Sequence, residues 1–179
     1  MTSTTTVDDA AGRMDAGVPD AERALEALAA RMRPAVAHDA AFVGIYSGGA
    51  WIAERLATMI PGTHPLGFID VSFYRDDYAR AGLKPNVKRT ALPFEVGGAS
   101  IVLIDDVLYT GRSVRAAINE LFDFGRPGRI ELAVLIDRGG RELPYEPTYC
   151  GARVAVARNL SIALSRDAQG RLSLGVEPA

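Results

Sequence analysis

The sequence has only one cysteine, Cys150, among its 179 residues. A disulfide within the chain and a cluster of thiolate metal ligands are therefore both excluded. Two histidines, His38 and His64, are too few for a histidine-based metal site. No apolar run approaches the roughly 18 residues of a membrane span, and the N-terminal residues lack the basic and apolar segments of a signal peptide. We therefore expect a cytoplasmic protein without membrane contact and without a metal site built by protein ligands alone.

An excess of positive charge is also missing. Twenty basic residues face 22 acidic ones, which gives a formal net charge of −2. This balance excludes a protein that is basic overall, so nucleic-acid binding would need a local basic patch. With 48% hydrophobic and 23% charged residues, the composition is that of an ordinary globular protein.

Hydrophobic periodicity divides the chain into short elements. Residues 1–19 show no periodicity and predict a disordered tail, whereas residues 20–179 are expected to form a single domain. Helical spacing predicts helices over 21–32, with Asp20 as N-cap, over 51–60 and over 114–122. Short apolar runs predict strands at 41–46, 66–72, 101–104 and 132–136, a loop at 47–49, and weaker strands at 153–157, 160–164 and 172–176. The alternation of strands and helices predicts an α/β fold, a mainly parallel twisted sheet flanked by helices.

One segment fits this scheme poorly. Residues 73–96 are rich in charge and contain Pro85 and Pro93. A long connection of this kind is usually functional, and a solvated hairpin is an equally good interpretation.

The most informative motif runs from Ile101 to Ser113, with the sequence IVLIDDVLYTGRS. Four apolar residues predict a strand buried on both faces, followed by Asp105 and Asp106, a glycine-containing turn and a helix. Backbone N–H groups in such a turn bind anions, which predicts a phosphate cradle. Two carboxylates would repel the phosphate itself, so we expect them to contact sugar hydroxyls on the same ligand.

Other interpretations of this motif are limited. The chain has neither the G-x-x-x-x-G-K-[ST] run of P-loop proteins nor a G-x-G-x-x-G after its first strand. An acidic pair at a strand end also occurs in Mg²⁺-dependent phosphotransfer domains. An acidic turn that merely caps the next helix is the structural alternative.

Residues 101–113 resemble the phosphoribosyl-pyrophosphate (PRPP) motif of the type I phosphoribosyltransferases. Together with FYRDD at 73–77, FGRPGRIELAVLIDRGGRELP at 124–144 and Tyr149, they are similar to the pyrimidine operon regulators of that family over residues 41–151. The resemblance implies a type I fold with a small hood and a flexible flap loop. It also implies transfer of phosphoribose from PRPP to uracil, giving UMP and pyrophosphate, with Mg²⁺ carried by PRPP.

The resemblance also implies roles for particular residues. Asp105 and Asp106 would be catalytic, and Ser47 and Gly48 would form the pyrophosphate loop. Arg75 would belong to the flap. The ribose and 5′-phosphate would be bound by Val107, Leu108, Tyr109, Thr110, Gly111, Arg112 and Ser113. Asp137 and Arg138 would lie beside the pyrimidine, where Asp137 is either a general base or an ion-pair partner of Arg138 or Arg141.

The sequence departs from the family pattern at three places. Ser47-Gly48-Gly49 replaces Thr-Arg-Gly in the pyrophosphate loop, Gly140 replaces a histidine, and residues 151–157 lack the family's proline and hydroxyls. Two alternatives therefore stay open, an RNA-binding attenuation protein that responds to UMP and a phosphoribosyltransferase for another base. The family also implies a homo-oligomer, a dimer or larger.

Overall fold

The structure is a computed structural model that describes residues 17–71 and 89–179. The predicted tail therefore lies outside the described residues except for 17–19, of which Val18 packs against the core. Most of the predicted flap, including Arg75, lies outside them as well. In the described ranges, no helix is long and apolar enough to cross a membrane.

Five parallel strands form the main sheet in the order β2-β1-β3-β4-β5. In chain order, the described helices and strands are α1 (Ala21–Met32), β1 (Ala41–Ile45), α2 (Gly48–Met59), β2 (Leu66–Ile69), β3 (Ser100–Leu108), α3 (Arg112–Phe124), β4 (Arg129–Asp137), β5 (Tyr149–Arg153), β6 (Leu160–Arg166) and β7 (Leu172–Pro178). The parallel sheet confirms the predicted fold class. Beside it, β6 and β7 form a separate antiparallel pair.

Both faces of the sheet are covered, as its apolar central strands require. Along β3, Val102 and Ile104 belong to one core cluster with residues of α1 and α2. Their neighbours Ile101 and Leu103 point to the opposite face, into a second cluster that contains residues of α3. The continuous apolar run of this strand thus reflects burial on two sides.

Helix α1 begins where its sequence predicts. The Asp20 carboxylate accepts a hydrogen bond from the Arg23 backbone N–H at 2.9 Å and so caps the first turn. The buried positions recur at helical spacing and face the sheet.

Helix α2 begins earlier than expected, so the prediction of a loop at 47–49 is wrong at its glycines. Gly48 and Gly49 form the first turn of the helix, where the backbone lies against the sheet. A Cβ on Gly49 would lie 3.1 Å from the Asp105 Cα, and one on Gly44 would lie 2.6 Å from the Ala50 Cα. The glycines therefore permit close helix–sheet contact rather than an unusual backbone conformation.

The C-terminal strands also differ from the prediction. The weak signal at 153–157 is misplaced, because β5 covers 149–153 and pairs with β4. The segments 160–164 and 172–176 are strands as expected, but each is longer and they pair only with each other within the described chain. They form the small unit beside the sheet, which we call the β6–β7 hairpin.

Candidate active site

A cleft of about 400 Å³ opens at the carboxyl end of the central strands. Ligand sites of open α/β sheets occur at this edge. Most of the residues singled out from the sequence line it, namely Ser47, Gly48, every residue from Asp105 to Ser113, and Arg138. Asp137 is not among the lining residues, and Arg75 lies outside the described part of the chain.

The acid pair lies within β3, which continues to Leu108 instead of ending before the carboxylates. Successive side chains of a strand point to opposite faces, and the two acids accordingly differ in environment. Asp105 is 2% exposed, and its Oδ1 accepts a hydrogen bond from the Asp106 backbone N–H at 3.0 Å. Asp106 is partly exposed at the cleft. Of the two, Asp106 is therefore the acid available to a ligand.

Gly48 lies directly against the Asp106 side chain. A Cβ at position 48 would lie 2.5 Å from Cγ of Asp106, which is far closer than carbon atoms approach in van der Waals contact. The missing side chain thus brings the first turn of α2 up to the acid pair. Helix N-termini carry N–H groups without partners in the helix, so this contact places the N-terminus of α2 beside two carboxylates.

A second helix N-terminus forms the opposite part of the cleft. Gly111 takes the left-handed conformation, with φ +92°, at the N-cap of α3. The Thr110 hydroxyl accepts a hydrogen bond from the Arg112 backbone N–H at 3.3 Å. The first turn of α3, including Ser113 and Val114, lines the cleft. The turn that the sequence analysis singles out as a phosphate cradle is thus a helix N-terminus that lines the cleft.

The loop after β4 holds that turn in place. Backbone N–H groups of Glu142 and Leu143 both donate to the Thr110 carbonyl at 3.0 Å. The Arg112 guanidinium donates to the Glu142 carboxylate at 2.7 Å, with about half of each side chain exposed. Exposed pairs of this kind contribute little stability, so the ion pair with Glu142 holds Arg112 only weakly.

Arg138 supports the aromatic part of the cleft. Its guanidinium lies 4.1 Å from the centre of the Tyr109 ring, a cation–π contact. The same group donates hydrogen bonds to the Leu160 carbonyl at 2.7 Å and to the Ala157 carbonyl at 3.1 Å. Arg138 thereby joins the end of β4 to the start of β6 and fixes the ring of Tyr109.

Asp137 is engaged on both of its oxygens. Oδ1 accepts hydrogen bonds from the Arg141 guanidinium at 2.7 Å and from the Gly139 N–H at 3.0 Å, and Oδ2 lies 3.3 Å from Arg153. The residue is 4% exposed. Of the two roles left open by the sequence, this arrangement supports the ion pair with Arg141 and not the general base.

Several lining residues escaped the sequence analysis. The single tryptophan, Trp51, lies one turn into α2 and faces the cleft. Residues 160–164 and Glu177 form a further wall. Trp51 follows Gly48 by about one helical turn and therefore lies on the same face of α2, and this spacing could have predicted its place in the cleft. The hairpin gives no such signal, because its place depends on contacts distant in sequence.

Comparison with known proteins defines the class of this site. Residues 18–151 match the phosphoribosyl transferase domain family. A hypoxanthine phosphoribosyltransferase from Staphylococcus aureus shares the fold, with a TM-score of 0.62 at 17% identity over 81% of this chain and 80% of the other. The fold is thus that of the phosphoribosyltransferases.

Two curated relatives show which members of the family this chain is similar to. "Bifunctional protein PyrR" of Ralstonia nicotianae is 50% identical over 84% of this chain and 88% of its own length. The protein of the same name from Pseudomonas paraeruginosa is 50% identical over 69% of this chain and 72% of its own length. The chain therefore belongs to the phosphoribosyl transferase domain family, in its PyrR branch, and it is an enzyme of that class.

Proposed function

We propose that the chain transfers phosphoribose from PRPP to uracil, giving UMP and pyrophosphate. The observation that carries the proposal is the meeting of two helix N-termini and an acid pair in one cleft. PRPP has two anionic ends joined by a sugar with vicinal hydroxyls, and the cleft offers a complementary group for each part.

The 5′-phosphate is assigned to the turn from Thr110 to Ser113. Backbone N–H groups at the start of α3 donate to its oxygens, and the helix dipole favours its charge. Gly111 allows the chain to enter the helix without a side chain in the way. Arg112 adds a positive charge when it leaves Glu142.

The pyrophosphate is assigned to Ser47 and Gly48 at the start of α2. This segment lacks the arginine of the family pattern, so N–H groups and the helix dipole carry the recognition. When the bond between C1 and pyrophosphate breaks, negative charge grows on the leaving group, and N–H groups already oriented toward it stabilise that charge. Arg75 of the flap is proposed to complete this side.

The ribose is assigned to the acid pair. Asp106 accepts hydrogen bonds from the ribose hydroxyls, and its negative charge stabilises the positive charge that develops on the sugar ring. Asp105 holds the strand end through its hydrogen bond to the Asp106 N–H. Uracil N1 forms the new bond to C1, and the N1 proton is released as the product forms.

The residues present suit a magnesium ion that arrives with PRPP. Within residues 17–71 and 89–179, no group of three or more His, Cys, Asp or Glu side chains could hold a metal. Mg²⁺ usually binds through one or two carboxylates together with substrate phosphates, and Asp106 supplies such a carboxylate. When bound, the ion neutralises charge on the leaving pyrophosphate.

The base is assigned to the remaining wall, which joins Tyr109 and Arg138 to the β6–β7 hairpin. Leu160, Ile162 and Leu164 give this wall an apolar character. A flat pyrimidine suits a wall of aromatic and aliphatic side chains.

The test is PRPP-dependent conversion of labelled uracil to UMP by wild type, Asp106→Asn and a control. We expect Asp106→Asn to lower kcat/KM for PRPP by about 100-fold or more, the scale of losing one preorganised electrostatic contact. Asp123→Asn removes the same charge from an exposed position of α3 and is expected to match wild type. Equal rates for Asp106→Asn and wild type would remove this carboxylate from the mechanism.

We also propose that the chain regulates pyrimidine genes by binding leader RNA with UMP as co-effector, since the relatives are named bifunctional and the sequence resembles the pyrimidine operon regulators. Two arginines of the N-terminal segment are already used within the fold. Arg31 donates to the Gly151 carbonyl at 2.9 Å and Arg33 to the Met59 carbonyl at 3.2 Å. Gel shifts at increasing salt test the proposal, since neutralised phosphates make RNA affinity fall with salt.

A further inference from the structure

The β6–β7 hairpin provides a wall of the cleft without being part of the main sheet. An isolated two-stranded hairpin is marginally stable in water. The position of this wall therefore depends on what attaches the hairpin to the rest of the chain. Apolar contacts contribute, since Ile162 and Leu172 belong to the core cluster that includes α1.

Two side chains hold the turn of the hairpin. The Glu22 carboxylate of α1 accepts two hydrogen bonds from the Arg55 guanidinium of α2, at 2.8 and 3.2 Å. Glu22 also accepts from the Leu172 backbone N–H at 2.8 Å, and Arg55 donates to the Gly170 carbonyl at 3.5 Å. This ion pair thus joins two helices to the residues where the hairpin enters β7.

A second contact lies beside the first and reaches the cleft. Arg166, at the end of β6, donates to the Glu54 carboxylate at 3.1 Å. Its guanidinium lies 4.9 Å from the centre of the Trp51 ring. Trp51 itself lines the cleft, so the attachment of the hairpin and the shape of the cleft are linked through one side chain.

We infer that Glu22, Arg55 and Arg166 are positioning residues, which hold the β6–β7 hairpin as the base-facing wall of the nucleotide site. The inference rests on the proposed function, since it assumes that a nucleotide occupies the cleft. None of the three is among the cleft-lining residues, so each acts through the hairpin. Loss of the contact should weaken uracil and UMP binding and leave the pyrophosphate side, formed by Ser47 and Gly48, unchanged.

Trp51 provides a direct measurement because it is the only tryptophan. Its fluorescence is followed while UMP, and separately inorganic pyrophosphate, is added to wild type, Glu22→Ala, Arg55→Met and Arg55→Lys. Arg129→Met is the matched control. It breaks the ion pair of Arg129 with Glu131, which has the same 2.8 Å length and lies at the start of β4, whereas the cleft lies at the carboxyl end of that strand. Thermal unfolding of each variant is recorded first.

The variants are expected to form a graded series. Glu22→Ala leaves the Leu172 N–H without its acceptor and should raise the Kd for UMP about tenfold. Arg55→Met removes the ion pair and the long hydrogen bond to the Gly170 carbonyl but keeps the acceptor of the Leu172 N–H, and it should raise the Kd about threefold. Arg55→Lys retains the charge and should restore most of the affinity. The Kd for pyrophosphate should stay within about twofold of wild type. Trp51 emission should shift to the red, because the Arg166 guanidinium that covers its ring becomes less firmly held.

Two results would overturn the inference. One is an equal Kd for UMP in Arg55→Met and Arg129→Met, and the other is a parallel loss of UMP and pyrophosphate affinity. If Glu22→Ala does not fold, the comparison of Arg55→Met with Arg55→Lys and Arg129→Met still decides between these outcomes. A wild-type chain that does not bind UMP at all would instead contradict the proposed function, and with it any role of the hairpin in nucleotide binding.

Discussion

Gly48 and Gly49 show that neighbouring residues of one type can serve different purposes. A side chain at position 48 would meet the Asp106 side chain, at 2.5 Å from its Cγ and 2.8 Å from its Cβ, so the whole side chain and not only the carboxylate must move. A side chain at position 49 would meet the backbone of β3 at Ile104 and Asp105, which cannot move without disturbing the sheet. The first glycine therefore shapes the site, and the second allows the helix to pack.

Alanine at these two positions should separate activity from stability. We expect Gly48→Ala to displace the Asp106 side chain and lower kcat/KM for PRPP about tenfold or more, with a smaller loss of stability than at position 49. Gly49→Ala should lower the free energy of unfolding by about 1–3 kcal/mol, the usual effect of forcing extra volume into a packed region. Uracil assays and thermal unfolding of both variants provide the measurement.

The same effect from both alanines would contradict this separation. An inactive but stable Gly49→Ala variant, or an active but unstable Gly48→Ala variant, would reverse the assignment.

Cys150 has a structural role at most. Burial raises the pKa of its thiol, and the nearby Asp137 carboxylate raises it further. The thiol donates to the Ala152 carbonyl at 3.1 Å. A protonated, hydrogen-bonded thiol is a poor nucleophile, in agreement with a mechanism that does not use it.

Among the elements, those with strong local patterns were predictable. The run Ile101–Ile104 is apolar at every position, and β3 is indeed buried on both faces. The start of α2 was not predictable, because glycines that allow close packing look like a loop in a sequence. The strand predicted at 153–157 lies at 149–153 in the structure, for a related reason. Its alternating pattern in the sequence is weak, so pairing with β4 sets its position.

The cleft was predictable to the extent that it is local in sequence. The segment from Asp105 to Ser113, which covers the end of β3 and the turn into α3, has a recognisable sequence pattern. All of its residues line the cleft. The family resemblance implied a place beside the base for Asp137, whereas in the structure this last residue of β4 is engaged by Arg141 and Arg153. Ion pairs of this kind depend on the tertiary structure and leave no mark in the spacing of residues.

The contact of α1 with α2 and the hairpin makes stability depend on pH. The hydrogen bond from Arg55 is the main reason that the pKa of Glu22 is lowered from its ordinary 4.5. A carboxyl whose pKa falls on folding contributes stability above its unfolded pKa, and this contribution is lost as the pH falls through the folded value.

We therefore expect wild type to exceed Arg55→Met in unfolding free energy at pH 6 and to lose that advantage progressively as the pH falls below the ordinary pKa of 4.5. Since the pair is partly exposed, the advantage should not exceed about 1 kcal/mol. Denaturant unfolding at a series of pH values provides the comparison. A difference between the two proteins that stays constant down to pH 3 would show that Glu22 is not the titrating partner.

At the scale of the whole molecule, the cleft joins parts of the chain that are far apart in sequence. The start of α2, the end of β3, the residue after β4 and the hairpin each contribute a wall. Strands β1 to β5 are linked through the main sheet, whereas the hairpin is attached by side chains and core contacts. A nucleotide that contacts the α3 turn, the acid pair and the hairpin together would add a connection between these walls.

UMP should therefore stabilise the native state as a whole. A ligand at 100 times its Kd adds about 2.7 kcal/mol when it binds only the folded chain, which corresponds to a rise in Tm of roughly 5–10 °C for a protein of this size. Uridine lacks the phosphate that the α3 turn would bind, so at the same concentration it should raise Tm far less. Thermal unfolding with UMP, uridine and inorganic phosphate would show this order, and equal shifts with UMP and uridine would contradict the assignment of the phosphate to residues 110–113.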